Sequence, residues 1–334
     1  MKLARALRVM ARPKVFLPIL LAGALFFLAI SLGDIGKVIG RIRAIPLLNL
    51  GAALGCAAIY LIFKALQLHL LLNDLGAHPQ RQRFALAFSI GELAVTFPLG
   101  IFSQNWVLSE EDRIHFGRSS AATVVMLLME IAVVLLLLTV VGIPGWPPLR
   151  PLAGALLVVI AAFMFGVLHF ESFAQRLAGR VKNEKLHKAL DEMVGLIRGL
   201  KRLAAMRVLF VNFAITAIYL GALVAAFMAI GHGVGEDQLT YVQVATIYCF
   251  SLAAVLLTGG LSGQIGTIEI IGMNAARAWG VGYTDGLALM LGFRLAWTGS
   301  MWLLNTPIAL MFWRALRSRP QARKPDGRSQ PENS

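Results

Sequence analysis

Six stretches of this chain are almost wholly apolar over a span's length: Val15 to Leu32, Leu47 to Leu72, Ser119 to Val141, Pro151 to His169, Val208 to Ile230 and Leu287 to Trp313. About 20 such residues cross the hydrocarbon of a bilayer as a helix. Nothing else that this sequence can form satisfies its backbone there. An all-α integral membrane protein is expected, and the composition agrees: 58% of residues are hydrophobic and 14% charged, with a mean hydropathy of +0.73. The net charge of +14 then reads as basic flanks that orient spans and touch anionic lipid. Nucleic acid is not an expected partner. Cys56 and Cys249 lie in apolar runs, where a cysteine serves as a small hydrophobe. The basic leader 1–14 before the first apolar run has the order of a signal peptide, but the run is long and no A-x-A site closes it, so an uncleaved first span is expected.

Two further apolar regions are interrupted. Phe84 to Leu108 is broken by "FPLG", with Pro98 and Gly100, and Tyr241 to Trp279 by "TGGLSGQIG", with Gly259, Gly260, Gly263 and Gly266. The leader carries five Lys and Arg, residues 171–207 carry nine against four acids, and the tail from Arg314 carries six. These segments should be cytoplasmic. Gly142 to Arg150 has one basic residue and Gly231 to Thr240 none, which places them outside. Gly33 to Pro46 should be external by counting yet holds Lys37, Arg41 and Arg43. Parity then requires each interrupted region, 84–108 and 241–279, to enter and leave on one side. The expected architecture is six full spans plus two re-entrant hairpins, arranged as an inverted repeat with breaks about 160 residues apart, within a transmembrane domain 15–313 that a disordered tail, 314–334, follows.

Irregular backbone survives in a membrane only where protein or a wet cavity surrounds it, and paired breaks in two halves point to a transporter's central site. In that reading the half-helix N-termini face an anion. The alternative is that the glycines only permit close packing, as Gly51 and Gly55 would in the second span and the stripe Gly272, Ala276, Gly280 would in the second hairpin.

Ionisable groups inside spans are functional candidates. Glu130 and Arg294 fall at similar depths of the two halves. They either neutralise each other or a neighbouring carboxylate, or Arg294 meets an anionic head group. Glu269, Arg277, Gln264 and Asn274 in the second hairpin, and Glu92, Gln104 and Asn105 in the first, would line the same wet site. Glu130, Glu92 and Glu269 are the candidate proton carriers. Lys64 and His69 are read as structural, with Lys64 snorkelling towards the cytoplasmic interface.

"SEEDRIHF", Ser109 to Phe116, could hold a hard cation, but reads better as a helix start capped by Ser109. No D-x-D pattern and no nucleotide-binding loop occurs, and neither a catalytic constellation nor a metal or cofactor is expected. The segment 171–207 carries an apolar stripe of Leu186, Leu190, Met193, Val194, Ile197 and Leu200, which suggests an amphipathic helix on the inner membrane surface.

These residues resemble the flippase-like membrane domain of lysylphosphatidylglycerol synthases and its stand-alone relatives, over Gly33 to Trp313. Gly259, Gly260 and Gly266 match the family's glycine break, Glu269 the acid after it, Trp279-Gly280-Val281 its helix end and Arg294 the arginine of the last span. Pro98, Gly100 and Glu130 match the first half. The chain departs in "IFSQNW", where the family has an arginine and a G-E pair, and at Thr258, where it often has proline. The soluble aminoacyl-transferase domain of the full synthases is not expected after Trp313. The resemblance implies a bacterial inner-membrane translocase for an anionic phospholipid or a polyprenyl-phosphate-linked lipid. Two other functions compete: a transferase acting on lipid head groups, and a non-catalytic partner of a lipid-synthesis complex. A second copy of the chain or a lipid-synthesis protein would be its protein partner.

Overall fold

The computed structural model describes Phe27, Ser31 and the chain from Gly33 to Arg317, apart from residues 96–99, 113, 171–174, 177–183, 236–238 and 258–265. The first expected span and the tail beyond Arg317 therefore lie outside the described residues, as do Pro98, Gly259, Gly260, Gly263 and Gln264. All regular structure within them is helical. Five helices are long and apolar enough to cross a membrane.

In chain order these elements are α1 (Ile35–Arg43), α2 (Leu47–Asp74), α3 (Arg81–Ala94), α4 (Ser103–Asp112, after a 3₁₀ turn at Gly100–Phe102), α5 (Phe116–Val141) and α6 (Leu149–His169). Then follow α7 (Glu184–Leu203), α8 (Met206–Gly233), α9 (Tyr241–Leu257), α10 (Thr267–Arg277) and α11 (Tyr283–Arg317). The spans α2, α5, α6, α8 and α11 fall on the expected apolar runs.

The repeat is visible in the spacing of helix starts. Leu47 and Met206 are 159 residues apart, Arg81 and Tyr241 160, Ser103 and Thr267 164, and Phe116 and Tyr283 167. The lead helices of the two halves, α2 and α8, lie side by side. Asn49 Nδ2 donates to the Ala229 carbonyl at 2.6 Å, while Gln67 Nε2 donates to Thr216 Oγ1 at 2.8 Å, so one helix rises in number as the other falls. Equivalent helices running antiparallel are what an inverted repeat requires.

Each broken segment folds back on itself. Ser103 Oγ donates to the Ile90 carbonyl at 3.5 Å, and Gln104 packs on Gly91, which makes α3 and α4 the arms of a hairpin. In the second, Ser251 of α9 and Met290 of α11 crowd Gly272 of α10. At 1.5 Å per residue the arms α3 and α4 are about 21 and 15 Å long, and α9 and α10 about 25 and 16 Å. None reaches the ~30 Å that a full crossing needs.

Several local readings change. Gly51 and Gly55 are exposed, with open space around them among the described residues. Gly272 and the fully buried Ala276 do mediate packing, whereas Gly280, at φ 90° with open space beside it, follows the end of α10. Ser109 sits in the last turn of α4 rather than at a helix start. A hydroxyl ahead of acids has the signature of an N-cap, but here the acids end a helix and His115 precedes the next one.

The apolar stripe of α7 is not laid on lipid as a whole. Leu190, Val194, Ile197 and Leu200 are buried, while Leu186 and Met193 stay exposed. The helix docks on α5 through glycines: Gly199 meets Ala121, Gly195 meets the His115 ring, and Gly117 meets the Glu192 backbone. Glu192 also accepts from the Gly117 amide at 2.5 Å, and His115 lies 3.1 Å from Glu192 and 3.4 Å from Asp191. Beside it, Arg118 and Arg202 both donate to the Leu75 carbonyl at the end of α2, where a cation suits the helix dipole.

The basic stretch before α2 also has an explanation. Arg41 pairs with Asp285 at 2.8 Å and donates to the Val234 carbonyl, while Lys37 pairs with Asp34 at 3.5 Å. Asp34 caps α1 by accepting the Lys37 amide, which holds its carboxyl below the ordinary value. Two of the three basic residues are therefore paired with acids.

Gly117→Ala would place a Cβ 2.0 Å from the Glu192 carbonyl oxygen. It should cost roughly 1–3 kcal/mol, the usual scale of overpacking, lower the thermal unfolding midpoint in detergent and speed tryptic cleavage in α7. Gly51→Ala, at an open position, should do neither.

Candidate functional site

The buried polar side chains of α2 lie along one stripe. Tyr60, Lys64 and Gln67 follow at helical spacing and are all buried. α8 presents the same pattern in Asn212, Thr216 and Tyr219, and because the two helices run antiparallel in contact, the stripes meet. Lys64 lies ten residues before the end of α2, about 15 Å at 1.5 Å per residue, which is half the thickness of a bilayer core. It does not snorkel.

Its ammonium group is 3.2 Å from Glu92 Oε1 of α3 and 3.5 Å from Glu130 Oε1 of α5, and it donates to the Tyr60 hydroxyl at 2.6 Å. Tyr219 donates to Glu130 Oε1 at 2.8 Å. The side chains of Lys64, Glu92 and Glu130 are 2%, 3% and 10% exposed, so no water shell stands in for these partners. Rings close the cluster on the α11 side: Tyr60 meets Tyr219 and Trp297 edge to face, and Trp297 stacks on Phe293.

A second charged contact lies one residue along α11 from Phe293, which packs edge-on against Tyr248. There Arg294 of α11 pairs with Glu269 of α10. Glu269 is fully buried and Arg294 is 17% exposed. The same carboxylate accepts the Gly266 amide at 2.7 Å. Gly266 sits at φ 83°, a left-handed conformation that favours glycine, and it turns the chain into α10. Glu269 thus caps its own half-helix and neutralises Arg294 together, so the Gly266 amide points at protein and not at an open cavity.

The first hairpin has a neutral counterpart. Asn105, third residue of α4 as Glu269 is of α10, exchanges hydrogen bonds with Thr123 of α5 at 2.8 and 3.2 Å. Gln104 also donates to Thr123, at 3.0 Å. These amides fasten α4 to α5. Gly100 opens the 3₁₀ turn ahead of them.

Of the residues expected to form the site, the fold brings Glu92 and Glu130 to one cation and Glu269 and Arg294 to each other. Arg294 is paired with a neighbouring carboxylate, Glu269, and Glu130 faces Lys64. Arg277 and Asn274 are elsewhere: both are exposed, Arg277 lies over the Tyr283 ring at 4.3 Å and donates to its hydroxyl, and Asn274 bonds back to the Ile270 carbonyl. Lys64, Tyr60 and Tyr219 are the functional candidates that sequence reasoning missed. The polar stripes at 60, 64, 67 and 212, 216, 219 were the available signal.

Removing one member of a buried ion pair leaves a naked charge, at a typical cost of 3–5 kcal/mol. Arg294→Ala should destabilise the protein on about that scale, read as a fall in the detergent unfolding midpoint. Arg294→Met combined with Glu269→Gln should recover most of the loss, because no uncompensated charge remains.

The family model of the lysylphosphatidylglycerol synthase TM region matches residues 15–304. No curated protein matches the chain. With a match that takes in both hairpins and both ion clusters, this chain belongs to the lysylphosphatidylglycerol synthase transmembrane-region family.

Proposed function

We propose that this protein moves an anionic lipid, either a phospholipid or a polyprenyl-phosphate-linked one, between the leaflets of a bacterial inner membrane, and performs no covalent chemistry on it. The observation that carries the reading is the Arg294 and Glu269 pair. A guanidinium with part of its surface accessible is held at the start of a broken half-helix, within the second half of an inverted repeat. Ionised groups are costly at this depth and are kept where a pathway needs them.

In the proposed cycle the lipid phosphate replaces Glu269 as the partner of Arg294. A guanidinium serves either anion, since its fork of donors fits carboxylate and phosphate alike. Glu269 keeps the Gly266 amide as a partner while Arg294 is engaged elsewhere. The acyl or prenyl chain stays in the bilayer against the exposed apolar residues beside Arg294 on α11, namely Leu295, Trp302 and Leu303. The transferase alternative draws less support. It would use the acids of Ser109 to Phe116 with His115 to hold a divalent cation, and that ring is held between Asp191 and Glu192, where it fastens α7.

The test is translocation of fluorescent phosphatidylglycerol in proteoliposomes, read by chemical quenching of the outer leaflet. Arg294→Gln combined with Glu269→Gln, a variant that buries no lone charge, should assemble normally by gel filtration and lose at least tenfold in rate. A rate equal to the parent protein's would remove Arg294 from the mechanism.

A further inference from the structure

We propose that the cluster of Lys64, Glu92 and Glu130 holds one exchangeable proton, shared between the two carboxylates. Two carboxylates face one ammonium at 3.2 and 3.5 Å, so with every group ionised the cluster carries one negative charge. In a buried site such a charge is strongly disfavoured unless something neutralises it.

Among the described residues, the surrounding elements offer no second cation. α2 contributes Tyr60 and Lys64, α3 Glu92, α5 Glu130, α8 Tyr219 and α9 Tyr248. The phenols are hydrogen-bonding groups, Tyr60 accepting from Lys64 and Tyr219 donating to Glu130. Gln104 and Asn105 of α4 are neutral and engaged with Thr123. Arg294 of α11 is matched by Glu269 of α10. One proton balances the account, and it has two adjoining seats.

A polar column gives this proton a route. One turn along α2 from Lys64, Gln67 donates to Thr216 and to the Asn212 carbonyl. Gln67 Oε1 and Asn212 Oδ1 are buried acceptor oxygens with no hydrogen-bond partner among the described residues, and acceptors of this kind are commonly served by water. The column leads towards the start of α8, the end of the bundle where α7 docks. In this structure Glu269 pairs with Arg294 and accepts the Gly266 amide, so the shared proton is assigned to Glu92 and Glu130. That the proton drives lipid movement rests on the translocase reading; the proton site does not.

Infrared difference spectroscopy on the full chain in lipid nanodiscs tests it without any transport assay. The parent protein should show one buried carboxylic-acid carbonyl band that shifts in deuterated buffer. Glu92→Gln and Glu130→Gln should each abolish the band, because the remaining carboxylate then balances Lys64. Lys64→Met should double it, leaving two acids with no cation. Tyr219→Phe, which removes a single hydroxyl and suits the case where the other variants fail to assemble, should move the band without loss of amplitude. Absence of the band in the parent, its persistence in both glutamine variants, or a band unmoved by Tyr219→Phe would overturn the proposal. A translocation-inactive protein that keeps the band would instead refute the function proposed above.

Discussion

Hydrocarbon offers a charge no partner, so an ionised side chain in the middle of this bundle must bring its counter-charge with it. The two places where this happens tie together helices far apart in sequence. Lys64, Glu92 and Glu130 join α2, α3 and α5, with Tyr219 adding α8. Glu269 and Arg294 join α10 to α11. Apolar helices in lipid gain little from burying more apolar surface, and their association leans on packing and polar contacts. The ion clusters therefore specify which helices adjoin and in what register.

The hairpins follow from the same constraint. A half-helix that stops inside the membrane leaves backbone donors and acceptors that something must satisfy. At α10 the answer is a side chain of the helix itself, since Glu269 returns to the Gly266 amide. At α4 the third residue is an amide that locks onto Thr123. One architectural position thus holds a charged pair in one half and a neutral pair in the other. The asymmetry gives the second hairpin an accessible cation, while the first is fastened more quietly.

Much of this was legible in the chain. The five described spans fall on apolar runs, because length and hydropathy decide what can cross a bilayer. The two interrupted regions become hairpins, because arms of this length cannot reach across. Glu130, Glu92, Glu269 and Arg294 were recognisable as buried charges from their place inside apolar runs. Beyond the local misreading of Ser109, the errors share a cause: each turned on what faces a residue from another element. Lys64 looked able to reach an interface until α3 and α5 put carboxylates on it. Gly51 and Gly55 looked like packing glycines, yet no helix among the described residues lies against them. The stripe of α7 looked like a membrane surface because its docking site on α5 is formed of Gly117 and Ala121, whose significance is invisible without the partner.

The one-dimensional chain determined that this protein is helical, crosses a membrane several times and is built from two related halves, because hydropathy and periodicity act locally. Only the tertiary structure decided the pairing of charges. Lys64 with Glu92 and Glu130, and Arg294 with Glu269, depend on α2 lying antiparallel to α8 and on each broken helix returning along its neighbour. Coulomb attraction over a few ångströms is set by distance in space, and separation along the chain says almost nothing about that distance.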